Sequence, residues 1–361
     1  MKPIMFIAGE ASGDNHAAAL IRALGAEGKT FGAGGPQMQA AGLDLVLDLT
    51  QHAVVGLIEA LKHYRQYRRL FFQLLAEAER RRPAAVVLVD FPGFNLRFAR
   101  AIKERLPATK VIYYISPQVW AWHSSRARQI ERHVDLMLTI FPFEKAWYAA
   151  HAPQLRVEFV GHPFVDTLRR DPAAQREDDL VLLLPGSRAH EVAHIFPILT
   201  KVMDLFPPHI RFVAAAVDER TARMMQHPRL KVEIGSAHQW MQRAQLAIAA
   251  SGTATMELAY FGCPMVVLYH VNWITYLIGK MVIRVKWISM PNLIANREIV
   301  PEFIQEAAQP AVVAAAAREL LPAGPRRAAM EQALAAVVAS LGPPGASARA
   351  AQLIRAVLAA S

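Results

Sequence analysis

The chain is 361 residues long, 53% apolar and 19% charged, which at roughly 150 residues per domain reads as two domains with sizeable cores and excludes disorder and collagen-like repeats. One cysteine, Cys263, permits neither an internal disulfide nor a thiolate metal cluster and points to a reducing compartment. Lysine and arginine number 40 against 30 aspartates and glutamates, a formal charge of +10 that asks for an anionic partner: nucleic acid, a membrane surface or a phosphorylated substrate.

The N-terminus carries one lysine and an apolar run too short for a signal peptide. No uninterrupted run of eighteen apolar residues occurs, so a cytoplasmic chain without a membrane-spanning helix is expected. From Pro3, β-rich runs alternate with helical stretches, the pattern of βαβ units around parallel sheets. Strands are expected at 4–8, 84–90, 110–115, 134–140 and 157–160, with helices at 17–24, 60–82 and 96–106 among them. The polar stretch Arg169 to Asp179 reads as a linker. A second series of strands follows at 180–184, 211–216, 230–234, 246–250 and 265–269, then alanine-rich helices at 311–321, 328–341 and 346–360. The fold class is therefore α/β, two doubly wound parallel-sheet domains in series, with ligands at the carboxyl ends of the strands.

Four strand ends carry residue types suited to chemistry. Gly9-Glu10-Ala11-Ser12-Gly13-Asp14 opens the first helix; glycine allows a tight turn, and Ser12 or Asp14 can cap the helix start, leaving N–H groups aimed at a ligand. The spacing is not that of a dinucleotide fingerprint, and an ordinary βα turn would use the same residues. Asp90-Phe91-Pro92-Gly93-Phe94-Asn95 places a carboxylate at a strand tip, where it can act as a general base or simply organise its loop. In the second half, Leu184-Pro185-Gly186-Ser187-Arg188 and Ser251-Gly252-Thr253-Ala254-Thr255 each lead from a strand into a helix. Helix dipole, N–H groups and the Arg188 guanidinium suit a diphosphate, and Glu257, one turn farther on, can accept ribose hydroxyls.

Other patterns point elsewhere. His190-Glu191-Val192-Ala193-His194 satisfies the zinc-hydrolase H-E-x-x-H spacing, but it follows directly on a strand and a phosphate-type turn rather than lying inside a helix. No P-loop, no G-x-S-x-G and no D-x-D pair is present, so a diphosphate would be neutralised by helix ends and cations, and neither metal nor cofactor is expected. Basic residues cluster with aromatics between Lys62 and Arg82, behind the apolar Val54, Val55, Leu57, Ile58 and Leu61, and again between Trp273 and Ile288. Such surfaces, Arg65 among them, suit an interfacial contact with anionic lipid, although each apolar face could equally pack on its own sheet. The basic residues are spread over both halves with no basic tail or nucleic-acid module, which argues against nucleic acid.

Taken in order, the Gly9–Asp14, Gly34-Gly35-Pro36-Gln37-Met38, Asp90–Asn95, Ser116-Pro117-Gln118-Val119-Trp120-Ala121-Trp122, Phe141-Pro142-Phe143-Glu144-Lys145 and Gly161-His162-Pro163 motifs resemble the lipid-A-disaccharide synthase family. So do Leu184–Arg188 with Glu191, Ser251–Thr255 with Glu257, and Pro291-Asn292-Leu293-Ile294 followed by Pro301-Glu302-Phe303-Ile304-Gln305. Some members carry a second aspartate where this chain has Gly93, which leaves Asp90 as the sole carboxylate of its loop.

The resemblance implies a GT-B fold, two Rossmann-like domains facing each other across a cleft, and a membrane-associated enzyme at the inner face of the cytoplasmic membrane. Such an enzyme transfers 2,3-diacylglucosamine from UDP-2,3-diacylglucosamine to 2,3-diacylglucosamine 1-phosphate, giving a β-1,6 disaccharide and UDP. Residues 1–168, completed by the C-terminal helix 346–361, would bind acceptor on the side of Ser12, Gly13 and Asn95. Residues 169–345 would bind UDP through Gly186, Ser187, Arg188, Ser251, Gly252, Thr253, Thr255, Glu257, Asn292, Glu302 and Gln305. Asp90 is the expected base, with Glu10 as the competing candidate, and a homodimer is compatible with the sequence. Another UDP-sugar transferase or epimerase of the same architecture, or a non-enzymatic nucleotide-binding module, would share the UDP site.

Overall fold

Near-continuous apolar runs form strands that are buried on both faces, and they assemble into two separate parallel sheets. The computed structural model describes residues 2–25, 29–50, 64–122, 124–273, 276 and 285–360. The chain divides into two units, residues 1–167 with 341–361 and residues 168–340.

The first unit holds a seven-stranded sheet of β1 (Ile4–Ala8), β2 (Thr30–Gly34), β3 (Asp44–Asp48), β4 (Ala85–Val89), β5 (Lys110–Tyr114), β6 (Leu136–Thr139) and β7 (Val157–Phe159). Their order is β3-β2-β1-β4-β5-β6-β7, parallel throughout. Strand order reverses between β1 and β4, which pair in register from Ile4 with Ala85 to Ala8 with Val89. That junction is the topological switch point, and it sets the Gly9–Asp14 and Asp90–Asn95 turns side by side. One apolar cluster, including Met5, Ile7, Val86, Leu88, Phe98 and Tyr113, fills the space under the Pro92–Arg105 helix.

The second unit holds β8 (Glu177–Leu184), β9 (Arg211–Ala216), β10 (Leu230–Ile234), β11 (Ala244–Ala250), β12 (Met265–Tyr269) and β13 (Glu302–Ile304), in the order β10-β9-β8-β11-β12-β13. Here the switch lies between β8 and β11, where Leu184 pairs with Ala249. Pro185–Arg188 and Ser251–Thr255 therefore leave neighbouring strand ends.

Three strands escaped the reading of the sequence. β2 is Thr-Phe-Gly-Ala-Gly, and a Cβ at Gly32, which has φ +146°, would lie 2.0 Å from the carbonyl oxygen of Phe6. Close approach of two backbones requires glycine there and removes the strand signature. β3 is an edge strand with aspartate at both ends, and β13 has three residues. The expected linker also ends early, because Glu177–Asp179 extend β8. Their carboxylates stay polar by pairing with Arg211, at 2.7 Å for Glu177 and 2.6 Å for Asp179, while Arg243 approaches Glu177 to 2.6 Å.

The last helix, Ala346–Ala359, packs on the first, Ala11–Leu24, and on β5. Arg355 donates to the carbonyls of Ala23 and Leu24. Arg349 donates to Val160, Pro344 and Pro343 at 2.9, 2.8 and 2.6 Å. Arg349→Ala deprives three carbonyls of a charged donor and is expected to destabilise the first unit by about 2 kcal/mol. A lower urea midpoint at unchanged m-value is the readout.

Candidate active site

At the first switch point the backbone is strained. Asp90 and Phe91 sit in the left-handed region at φ 46° and 48°, and the tip of the adjacent β5 repeats this at Ile115, φ 64°. Each such non-glycine residue costs on the order of 1–3 kcal/mol and persists only where its surroundings hold it. The Asp90 N–H donates to the Tyr114 carbonyl at 3.1 Å, continuing the pairing of β4 with β5. Its carbonyl oxygen accepts from Tyr113 Oη at 2.6 Å and from Asn95 Nδ2 at 2.8 Å. The Phe91 ring lies over Gly9, where a Cβ would come within 2.4 Å of it, so the two switch-point turns are packed together.

Asp90 is half-buried. Burial, and secondarily the charge of Glu10, raise its carboxyl to about 6, against the opposing hydrogen bond from the Phe91 N–H. Glu10 is exposed at the start of the Ala11–Leu24 helix. The two candidate carboxylates are thus brought together in different environments, which is how one of a pair becomes poised for proton transfer near neutrality. Ser12 is exposed and Gly13 is buried against β1 and β4, whereas Asn95 is fully buried with its amide turned onto the Val89 and Asp90 carbonyls.

Asp14 does not cap its own helix. Its carboxylate accepts from the N–H groups of Gly35, Gln37 and Met38 at 2.8, 2.9 and 3.0 Å, capping the Pro36–Ala40 helix from outside. A short cap-preferring residue suggests a local partner, but the nearest orphan donors belong to another turn. Glu144 has a similar duty that the sequence did not disclose. Fully buried, it accepts from Trp120 Nε1 at 3.1 Å and from the N–H groups of Ile140 and Phe141 at 3.2 and 3.0 Å, while Ser116 bonds Tyr148 Oη at 2.9 Å. Burial lifts the Glu144 carboxyl to about 7. The Ser116–Trp122 and Phe141–Lys145 motifs are thereby fastened into one support beside Asp90.

In the second unit the Pro185–Arg188 turn is built around Glu191. Gly186, at φ +127°, lies so close that a Cβ there would meet the Glu191 Cβ at 2.5 Å. Glu191 Oε2 accepts from the N–H groups of Ser187 and Arg188 at 2.9 and 3.2 Å, and Oε1 meets Arg188 Nη1 at 3.4 Å. Two N–H groups expected to face a phosphate are therefore already engaged, leaving the exposed Arg188 guanidinium and the next turn of the Ala189–Asp204 helix for an anion. Glu191 is a cap rather than the base of an H-E-x-x-H site, and His194 Nδ1 lies 2.7 Å from the His190 carbonyl along the same helix.

At the end of β11, Gly252 and Thr253 are exposed at the start of the Thr253–Tyr260 helix. Thr255 is buried and donates to the Gly252 carbonyl at 2.8 Å; Ser251 donates to the Ile288 carbonyl at 3.1 Å. Glu257 is half-buried and meets His238 Nε2 at 3.4 Å. Asn292, Glu302 and Gln305 engage backbone rather than open space. Glu302 accepts from the N–H groups of Ile288 and Ser289, Ser289 Oγ and Asn292 Nδ2 at 2.5–2.9 Å. Asn292 Oδ1 accepts from Ile299 and Val300, and Gln305 pairs both ways with Val271. Glu302 thus braces the Ile288–Ser289 backbone that receives Ser251, Asn292 the Ile299–Val300 backbone, and Gln305 holds Val271.

Of the expected lipid-contact residues, Val54, Val55, Leu57, Ile58 and Leu61 lie outside the described residues. Arg65 is exposed near the start of the Tyr64–Arg81 helix, together with Arg68, Arg69 and the 46%-exposed Phe72. Arg80 and Arg81 differ: both pair with Glu77, and Arg81 also with Asp44. Among the described residues no helix is long and apolar enough to cross a membrane.

The family model described as lipid-A-disaccharide synthetase matches residues 4–357. The chain belongs to the lipid-A-disaccharide synthase family. Its similarity to the Geobacter sulfurreducens lipid-A-disaccharide synthase is 38% identity over 336 residues, 86% of either chain. Two solved structures share the fold at low identity. A glycotransferase of kitacinnamycin has a TM-score of 0.63 at 16% identity, covering 99% of this chain and 100% of that one. An S. aureus MnaA–UDP co-structure has 0.65 at 15%, covering 99% and 97%. A lipid-A-disaccharide synthase of this family is a glycosyltransferase of lipid A biosynthesis, and its two α/β units are those of the GT-B class.

Asp14→Ala leaves three N–H groups at the Gly35–Met38 turn without their acceptor and is expected to destabilise the first unit by about 3 kcal/mol. Thermal unfolding should report it as a lowered Tm with UDP affinity retained.

Proposed function

We propose that the chain inverts the anomeric carbon of UDP-2,3-diacylglucosamine by attack of the 6-hydroxyl of 2,3-diacylglucosamine 1-phosphate. Asp90 is the base, and the diphosphate is held by Arg188 and the two helix starts of the second unit. The observation that carries this reading is the Asp90 carboxyl itself, rigidly mounted at a switch point with its affinity for a proton raised toward neutrality. An inverting transfer needs one base for the attacking hydroxyl and stabilisation of the charge that develops on the leaving diphosphate. Arg188 suits the second task because its guanidinium is exposed and only loosely paired. Gly252 and Thr253 present an open helix N-terminus beside it on the sheet. Ser12 and Gly13 border the acceptor, and Glu257 faces the ribose.

The substrates are acylated amphiphiles, so the enzyme works from the cytoplasm at the inner membrane surface. Exposed Arg65, Arg68, Arg69 and Phe72 support a peripheral contact in which cations meet anionic headgroups and an aromatic ring enters the interface.

Asp90→Asn is expected to lower kcat by about 10²- to 10⁴-fold while UDP still binds. Near-parental turnover would remove Asp90 from the chemistry. Because the base must be ionised, kcat/KM of the parent enzyme should fall as pH drops through about 6 and level off above it. Arg188→Ala is expected to weaken UDP about 10- to 100-fold by calorimetry, the loss of a charge-assisted hydrogen bond. Unchanged UDP affinity would exclude it from the site.

A further inference from the structure

We propose that Tyr113 and Asn95 are positioning residues for Asp90, a two-donor clamp on its main-chain carbonyl that fixes the direction of its carboxyl group. The proposal rests on the reading of Asp90 as the base.

The direction of the Cα–Cβ bond, from which the rotamers of a side chain are counted, is set by the two peptide planes that flank its Cα. At Asp90 both planes are pinned. The preceding one is held through the N–H, which donates to Tyr114 O at 3.1 Å. The following one is held through the carbonyl oxygen, which receives Tyr113 Oη at 2.6 Å and Asn95 Nδ2 at 2.8 Å. A carbonyl oxygen has two lone pairs, so the pair of donors saturates it. Left to itself an L-aspartate at φ 46° relaxes toward the extended region, and the carboxyl swings with it. The stacking of Phe91 on Phe94, with ring centroids 5.7 Å apart, secures the next residue in the same left-handed conformation.

The Tyr113 hydroxyl meets the Asp90 carbonyl and the Asn95 side chain, so the two members of the clamp also touch each other. The ring is fully buried in the apolar cluster under the Pro92–Arg105 helix, where phenylalanine would serve as well. Burial pushes the phenol far above its ordinary range, so it remains a donor at every pH at which the enzyme works. Asn95 reaches the same oxygen from the first turns of that helix, and its second bond, to Val89 O at 3.2 Å, aims the amide.

The experiment is a double-mutant cycle with UDP-diacylglucosamine and acceptor in detergent micelles, measuring kcat, KM for the donor and the urea midpoint. Tyr113→Phe keeps the ring. It is expected to fold with a midpoint lowered only by the loss of one buried hydrogen bond, to lower kcat about 10- to 100-fold by misplacing the base, and to leave KM within about twofold. Combined with Asp90→Asn, it should change the remaining rate by less than about twofold, because there is no longer a carboxylate to aim. Asn95→Ser, which removes the second donor, should show the same dependence and serves if Tyr113→Phe is poorly folded. Parental kcat in both variants overturns the clamp alone, as does a loss that multiplies with that of Asp90→Asn. An Asp90→Asn enzyme with parental turnover overturns the base assignment, and the clamp's purpose with it.

Discussion

When two adjacent parallel strands send their connections to opposite sides of a sheet, the space above their carboxyl ends is left without a covering helix. β1 and β4 create this opening in the first unit, and β8 and β11 create it in the second. Every residue given a chemical role lies on a loop that leaves one of these four strands, or braces such a loop. The chemistry is placed by strand order before any individual side chain is considered. The paired registers Ala8 with Val89 and Leu184 with Ala249 then fix which turns stand beside each other.

Carboxylates do most of the fastening around these openings. Asp14 gathers three N–H groups, Glu191 two, Glu144 two plus an indole, and Glu302 two plus a hydroxyl and an amide. A carboxylate suits this work because it offers several acceptor sites and makes charge-assisted bonds to donors that a turn would otherwise leave unmet. Asp90 differs from all of them. Its main-chain carbonyl is gripped, while the carboxyl accepts from the N–H of Phe91 and stays only half-buried beside Glu10. A family motif rich in acidic residues is thus mostly scaffold, and the carboxyl proposed as the base stands apart by what holds its backbone.

Sequence patterns disclosed most of the architecture because a strand covered on both faces reads as an apolar run; β1, β9 and β12 agree with it to the residue, and the edge strand β10, Leu-Lys-Val-Glu-Ile, does so through its alternation instead. β2 was hidden because contact with β1 demands glycine, and β3 because an edge strand need not be apolar. For the site, strand-to-helix turns were legible from their glycines, hydroxyls and carboxylates. Hydrogen-bond partners were not. Asp14 finds its donors 21 to 24 residues away and Tyr113 its acceptor 23 away, and local composition carries no record of such pairings. Tyr113 in particular looks like any aromatic of a core strand until the carbonyl it meets is known.

The helix Ala346–Ala359 lies against Ala11–Leu24, so the first unit is built from both ends of the chain and the second is carried as an insertion within it. During synthesis the order of completion is therefore inverted. The inserted unit has all of its strands once residue 304 has emerged, whereas the first unit, begun earlier, lacks its closing helix until the last residues appear. At roughly 5–20 residues per second, the surface reserved for that helix stays uncovered for most of translation. Nascent chains and C-terminal truncations of this enzyme share one vulnerable face, the outer side of its first helix.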